Sequence, residues 1–359
     1  MCWAHGRRLP EMLRGVDDMM VRFAKIEDKP EIAALWALCF PGDDAFCELF
    51  LNEMFAPELS LVCEDEGGTL AGMLHFIVED FKYGAETVKA AYVYGIGTYP
   101  DFRGRGIASE LICRLFSEMK EQGIPLAILV PQGESLFEFY RRTGFSAAFT
   151  VTREKFARKN LSGNLRETVT EILPKDAFAA NAIFENVTFY RNHLCRSAEH
   201  WRHAALVAKS TGGGMLGVYR EGGLIGYAVF EYENGKVIAN EVFAEDELAY
   251  DSLRYSLLGM GECEMLAPSC PHDAVPFGMA RIVDVGEMLR LAATMKRGLD
   301  FTVEVLDKQA EWNTGRWTVS SGKVSRAPRE GSAFVTPEQL CEMVMGIGIA
   351  APYVNLLFS

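Results

Sequence analysis

Positive charge is what this chain carries least of for its size: 36 Lys and Arg stand against 49 Asp and Glu, a formal net charge of −13. Gripping a phosphate backbone takes a basic footprint, so nucleic acid is not an expected partner. No apolar run approaches membrane-spanning length, and the opening segment lacks the apolar core of a signal peptide, so no membrane is expected either. The nine cysteines (Cys2, Cys39, Cys47, Cys63, Cys113, Cys195, Cys263, Cys270 and Cys341) contain no C-x-x-C pair. An odd count without a framework fits reduced thiols and an expected cytoplasmic location. His193, Cys195, His200 and His203 lie close in sequence, but H-x-C and H-x-x-H lack the paired spacing of a structural zinc site, so no metal is expected. The acidic balance suits a cationic partner such as a small-molecule amine.

What is present is an ordinary globular composition, 49% hydrophobic and 24% charged over 359 residues, long enough for two or three cores. The densest information runs from Tyr92 to Phe145. An apolar run, Tyr92 to Tyr99, ends at Pro100 and predicts a buried strand. Arg103-Gly104-Arg105-Gly106-Ile107-Ala108 then forms a glycine-rich basic turn into a helix. Ile107, Leu111, Ile112, Leu115, Phe116 and Met119 recur at helical spacing along it. Gly123 stops the helix, and Leu126 to Val130 predicts a second buried strand, parallel to the first by right-handed crossover. A short helix with Phe139-Tyr140 and a strand from Gly144-Phe145 follow. Free backbone N–H groups at a helix start, between two guanidinium groups and with no Cβ at the glycines, suit a pyrophosphate. Alone, such a hexamer is more often a basic surface turn; the surrounding order of elements is what lifts the phosphate reading above it.

Strand, turn, helix, strand and FYRRTGF in this order resemble the GNAT superfamily of acyl-coenzyme A N-acyltransferases. Arg103, Gly106 and Ala108 match its phosphate loop, and Phe139, Tyr140, Gly144 and Phe145 match its Phe-Tyr-x-x-x-Gly-Phe element. The resemblance implies that the two parallel strands splay and admit the pantetheine arm of acetyl-coenzyme A. Arg103, Gly104, Arg105, Gly106 and Ala108 would then hold its pyrophosphate, and the backbone of Ile96 and Thr98 its acetyl end.

Residues 1–20 read as an N-terminal extension and 21–150 as the catalytic domain. Lys29-Pro30 opens one helix, and Asp43 or Asp44 caps a second that contains Phe46 and Phe50. In the superfamily these helices wall the acceptor pocket, so Asp43, Asp44 and Glu48 either bind an ammonium or are a cap and a solvated face. Leu59 to Glu64 and Thr69 to Val78 alternate as strands across Gly67-Gly68. His75, in the middle of the second, reads more readily as a hydrogen-bonded core histidine than as a catalytic one. Glu79 and Asp80 read as solvated charges at the strand end.

After a linker at Asn160–Asn164 the pattern partly repeats. EDEGGTLAGMLHFIVED (64–80) and YREGGLIGYAVFEYENG (219–235) share a Gly-Gly turn, a Leu and a Gly at similar offsets. The strand Val237–Val242 is followed by AEDELAYDSL, which has no glycine or arginine with which to cradle a phosphate. Residues 151–265 are therefore expected to be a degenerate copy with a structural role. Residues 266–359 resemble a sterol-carrier-like α+β domain. The expected class is thus α/β (α+β): tandem GNAT-like acyltransferase domains followed by a sterol-carrier-like domain.

That arrangement, with ARIVDV and the terminal Pro352-Tyr353-Val354-Asn355-Leu356-Leu357-Phe358, resembles the Eis (enhanced intracellular survival) acetyltransferases. The resemblance implies acetyl transfer from acetyl-coenzyme A to a primary amine of aminoglycoside or polyamine type, and a homo-oligomer, a hexamer. Tyr140 is the expected general acid, since a phenol near pKa 10 matches a departing thiolate. Ser135 either hydrogen-bonds near the cofactor, as in the family, or caps a helix. The family's base is the carboxylate at the chain's own end, here Ser359, one residue beyond the family's closing phenylalanine. Protein lysine or N-terminal acetylation is the alternative within the class; outside it stands a lipid-binding carrier with vestigial catalysis.

Overall fold

The computed structural model describes residues 19–157, 161, 167–269, 272–326, 332–348, 350–355 and 357. The expected extension up to residue 18 and almost all of the expected linker lie outside them. β1 (Met19–Phe23) leads through α1 (Lys29–Cys39) and α2 (Asp44–Leu49) to β2 (Ser60–Asp65), β3 (Leu70–Tyr83) and β4 (Glu86–Thr98). Pro30 sits in the first turn of α1, where its missing N–H has no helical partner to lose. Ile32, Leu35 and Trp36 are the buried side of that helix.

β3 and β4 run past the stretches read from sequence and close at Gly84, whose φ is +62°. The intervening VEDFKYGAETVK hides its apolar alternation among charges, of which Asp80 and Lys89 pair at 2.7 Å. Phe81 and Tyr83 are nonetheless fully buried, and the Tyr83 hydroxyl donates to the carbonyl of Val344 at 2.6 Å. Distant chain covers this end of the hairpin, and local periodicity carries no record of that.

α3 (Ile107–Glu121) buries the side read from its spacing, including Ile107, Leu111, Leu115 and Phe116. β5 (Leu126–Leu129) pairs parallel with β4, from Ala90↔Leu126 to Tyr92↔Ile128. α4 (Glu134–Arg142) and β6 (Ser146–Lys155) follow.

β7 (Val169–Glu171), α5 (Asn181–Val187), β8 (Arg191–Leu194) and α6 (Ala198–Ser210) precede a second run. It consists of β9 (Gly214–Arg220), β10 (Gly223–Glu233), β11 (Lys236–Ala244), α7 (Glu247–Met260) and β12 (Cys263–Pro268). This order repeats β2, β3, β4, α3 and β5, again with a parallel last pair, Val237↔Cys263 to Ala239↔Met265. The shared glycine serves the same purpose in both runs. A Cβ on Gly72 would lie 2.6 Å from Ile107 of α3, and one on Gly226 would lie 3.2 Å from Leu253 of α7. Each lets a helix press onto its strand.

β13 (Val275–Ile282), which carries the first half of ARIVDV, inserts between β5 and β6 and is antiparallel to both. Sequence reading placed it with the C-terminal unit, but it completes the first sheet. One sheet therefore runs β1-β2-β3-β4-β5-β13-β6-β12-β11-β10-β9-β7 through both repeats. Next come α8 (Val285–Met295), β14 (Phe301–Val305), β15 (Gly315–Ser320), β16 (Lys323–Ser325), β17 (Ala333–Val335) and α9 (Pro337–Met345). Their strands form a separate sheet, β16-β15-β14-β17. Arg281 of β13 joins the two units, donating at 2.6 Å to both carboxylate oxygens of buried Asp307. β18 (Ala350–Tyr353) then returns to pair parallel with β8.

Candidate active site

The turn into α3 ends in two left-handed glycines, Gly104 at φ +78° and Gly106 at φ +89°. Gly106 is the residue before the helix, and no side chain caps it. The first-turn N–H groups, with Ala108 among them, thus meet no carboxylate or hydroxyl of the cap. Arg103 donates through Nε to the Thr98 carbonyl at 3.2 Å. Arg105 donates to the Asp101 carbonyl at 3.3 Å and lies 5.0 Å from the Phe102 ring centroid. Among the described residues no carboxylate lies within ion-pair distance of either guanidinium. A helix start flanked by two such cations fits a pyrophosphate.

Beside this turn the parallel strands part. Pairing of β4 with β5 ends at Tyr92↔Ile128, while β4 runs on to Thr98. An extra residue in β4 shifts its register on β3 between Met73↔Gly97 and His75↔Tyr94. Ile96 and Thr98 lie on this reach. Gly95, at φ +58°, lets the bulge form: a Cβ there would come within 2.9 Å of the Trp36 and His75 rings. Backbone groups on the open edge of β4 are free of β5, the arrangement an oxyanion needs.

Tyr140 reaches the parting from the α3 side, buried against Phe139 and Phe145 with ring centroids 5.1 and 5.8 Å away. Burial pushes its phenol above the ordinary value, so it stays protonated but is a weaker acid than the phenol near pKa 10 that sequence matched to a thiolate. Tyr92 stands on the opposite side, its phenol raised by burial and by Tyr140. Tyr92 also lines a cavity of about 770 Å³, and Tyr140 does not.

The cavity is bounded by α4 (Glu134, Phe137 and Glu138), by Glu231 and Asn240 of the second repeat, and by Asn355 and Leu357. Sequence reading missed all of these second-repeat and tail residues. Aligning Gly72 with Gly226 sets Glu231 in the row equivalent to Ile77, but its place at this cavity comes from how the two repeats meet, which no local signal records. Asp43 belongs to the same charge cluster: its carboxyl is pushed up by burial, by Asp44 and by Glu231. Asp44 and Glu48 lie elsewhere, on a shallow depression beside Cys47 and Ala33. Ser135 is exposed in the first turn of α4, and the cap residue is Gly133, so the cap reading of Ser135 is corrected.

His75 is fully buried and shares a 2.9 Å hydrogen bond with Ser60 Oγ; burial pulls its pKa down to about 3. It is a neutral core histidine. Glu79 is not the solvated strand-end charge read from sequence: it accepts from Ser197 Oγ at 2.9 Å and faces His200 Nδ1 at 3.3 Å. His203 pairs with Arg202 at 2.9 Å, away from that contact. His193 and Cys195 do come together, with ligand atoms within 4.8 Å of each other and of Glu185. Lys82 holds the other Glu185 oxygen at 3.2 Å. Ser359 lies outside the described residues. Among those described, no helix is long and apolar enough to cross a membrane.

Comparison with known proteins reaches the same stretch. A family model described as an acetyltransferase (GNAT) domain matches residues 20–148. An acetyltransferase of Photorhabdus laumondii is 32% identical over 118 residues, which cover 31% of this chain and 74% of that protein. Among solved structures, Eis1 from Mycobacterium abscessus superimposes with a TM-score of 0.70 at 19% identity, over 91% of this chain and 90% of that one. A GCN5-related N-acetyltransferase from Anabaena variabilis gives a TM-score of 0.70 at 18% identity over the same shares. Those two structures share this fold across nearly the whole chain.

Proposed function

The chain belongs to the GNAT acetyltransferases, and from that premise we propose that it moves the acetyl group of acetyl-coenzyme A directly to a primary amine of a cationic small molecule, of aminoglycoside or polyamine type. One observation carries the reading. The parting of β4 from β5, which lies beside the uncapped start of α3, borders at Tyr92 and Val130 a cavity of about 770 Å³ that Glu231, Glu134 and Glu138 line together with Arg141 and Arg153.

Acetyl-coenzyme A supplies a thioester whose carbonyl carbon accepts the amine. The N–H groups of α3 with Arg103, Gly104, Arg105, Gly106 and Ala108 hold the pyrophosphate, and the open backbone around Ile96 and Thr98 stabilises the oxyanion. Glu231 and Asp43 draw in the ammonium, whose pKa near 10 requires a base before attack. As the C–N bond forms and the C–S bond breaks, Tyr140 gives its proton to the leaving thiolate. The carboxylate of Ser359 is the proposed base; Leu357, two residues earlier, lines the cavity, and two residues span at most about 7 Å.

In this reading residues 151–265 form a degenerate acyltransferase-type domain, the C-terminal unit that follows β13 is sterol-carrier-like, and the assembly is a homo-oligomer. A panel of aminoglycosides, polyamines and lysine peptides with acetyl-coenzyme A, followed by thiol release, tests the reading. Release with the small polycations supports it. Release with lysine peptides alone moves the acceptor to protein. No release, with lipid co-purifying, favours the carrier.

A further inference from the structure

In the second repeat the strands part as they do in the first, and the gap is already filled. β11 leaves β12 after Ala239↔Met265, and Asn240 is an extra residue in β11 between the pairs Phe230↔Ala239 and Val229↔Glu241. With Gly72 and Gly226 aligned, Glu241 occupies the row that Tyr94 occupies beside the bulge of β4. Residues 353–355 and 357 lie across this place. The Asn355 side chain donates to the Asn240 carbonyl at 2.7 Å, and its Oδ1 accepts from the Leu357 N–H at 2.9 Å. Tyr353 and Leu357 pack with Phe243 of β11 and Leu266 of β12, one on each side of the parting.

Glu241 holds the arrangement together. Its carboxylate is fully buried and receives the Tyr227 hydroxyl at 2.6 Å, the Tyr353 hydroxyl at 2.7 Å and both ends of Arg196 at 2.7 and 2.9 Å. Arg196 also donates to the Asn355 carbonyl at 2.6 Å, with its guanidinium 4.1 Å from the Phe184 ring centroid and 4.7 Å from that of Trp201. A buried carboxylate supplied with four donors is rigid, and loosening one member loosens the others.

We propose that the strand parting of the second repeat, the counterpart of the donor cleft, is a clamp for Tyr353, Asn355 and Leu357, and that Glu241 is the positioning residue through which it fixes Leu357 at the wall of the catalytic cavity. The clamp itself needs only the contacts above; its effect on turnover rests on the acetyl-transfer reading. The degenerate domain thereby has a role of its own. It gives up a cofactor and holds a strap that completes the acceptor side of its neighbour.

Asn355→Ala removes both side-chain contacts without stranding a buried charge, and Tyr353→Phe removes one donor. Hydrogen exchange read by mass spectrometry on the full chain should show amides 353–357 opening about tenfold or more faster in Asn355→Ala, and less so in Tyr353→Phe, while the amides of β3 and β4 keep their protection. kcat should fall by up to about 10²-fold with the KM for acetyl-coenzyme A unchanged, the split expected of misplacement and not of unfolding. Unchanged exchange in both variants overturns the clamp. Faster exchange with unchanged kcat overturns its catalytic role. If the wild-type chain acetylates no amine, the exchange result still decides the clamp, and the failure belongs to the proposed activity. Glu241→Gln, should it fold, is expected to exceed both variants in exchange.

Discussion

α3 and α7 stand at the same place in two runs of chain that share strand order, glycine position and a parting of parallel strands, yet they begin in opposite ways. α3 follows Gly106, with no side chain over its first N–H groups and Arg103 and Arg105 alongside. α7 follows Asp246, whose carboxylate accepts from the Ala249 N–H at 2.9 Å and pairs with Arg220 at 2.8 Å. A capped helix start has already spent its donors on its own chain and brings a negative charge to the spot where a phosphate would sit. On the proposed reading, cofactor binding turns on a few residues at one helix end, while the sheet and its bulge are common to both repeats.

The largest effect in sharpening this contrast is expected at Tyr140, which has no counterpart role in the second repeat. Tyr140→Phe should lower kcat by about 10²–10⁴-fold and leave acetyl-coenzyme A affinity nearly intact, as steady-state rates and calorimetry would read. A parallel loss of affinity would instead make Tyr140 a binding residue. Because burial disfavours the phenolate and raises the phenol, the donor form persists as pH rises. The wild-type pH–rate profile should therefore show no alkaline loss assignable to Tyr140 below about pH 10.

Next in size, Arg103→Ala should weaken acetyl-coenzyme A binding by about 1.5–3 kcal/mol, the range of charge-assisted hydrogen bonds. Gly106→Val should cost more, because a β-branched residue at φ +89° is strained and its Cβ crowds the phosphates. If both variants bind the donor as the wild type does, the helix start is not the phosphate site. The smallest effect belongs to Asp246→Ala. Thermal unfolding should show a loss of about 0.5–1 kcal/mol from the missing cap, discounted for an exposed carboxylate, with acetyl-coenzyme A affinity unmoved. A change in that affinity would mean that the two helix starts are not independent.

The first repeat was largely legible because its signals are local. The turn from Arg103 to Ala108, the helical spacing after it and FYRRTGF are each read from neighbouring residues in the chain. The second repeat was legible as a repeat from its Gly-Gly turn, and the structure repeats the element order; that it binds no cofactor is the expectation that the missing basic turn after Val242 carries. What escaped is what long-range contact creates. Nothing near Phe81 or Tyr83 announces that α8, α9 and β8 bury them, and nothing in ARIVDV says that its strand inserts between β5 and β6. Glu241 reads as an ordinary strand acid. Its meaning arises only when Arg196, Tyr227 and Tyr353 converge on it from three other parts of the chain. Asp43, Asp44 and Glu48 read as one acidic group; burial, Asp44 and Glu231 raise the Asp43 carboxyl, while Asp44 and Glu48 line an outer depression that Asp43 does not.

That one repeat binds the acetyl donor and the other does not is decided by stoichiometry. Titrating the full-length chain with acetyl-coenzyme A in a calorimeter should give one site per chain, abolished or strongly weakened by Gly106→Val and unaffected by Asp246→Ala. Two equivalent sites per chain, or a single site that survives Gly106→Val, would contradict it.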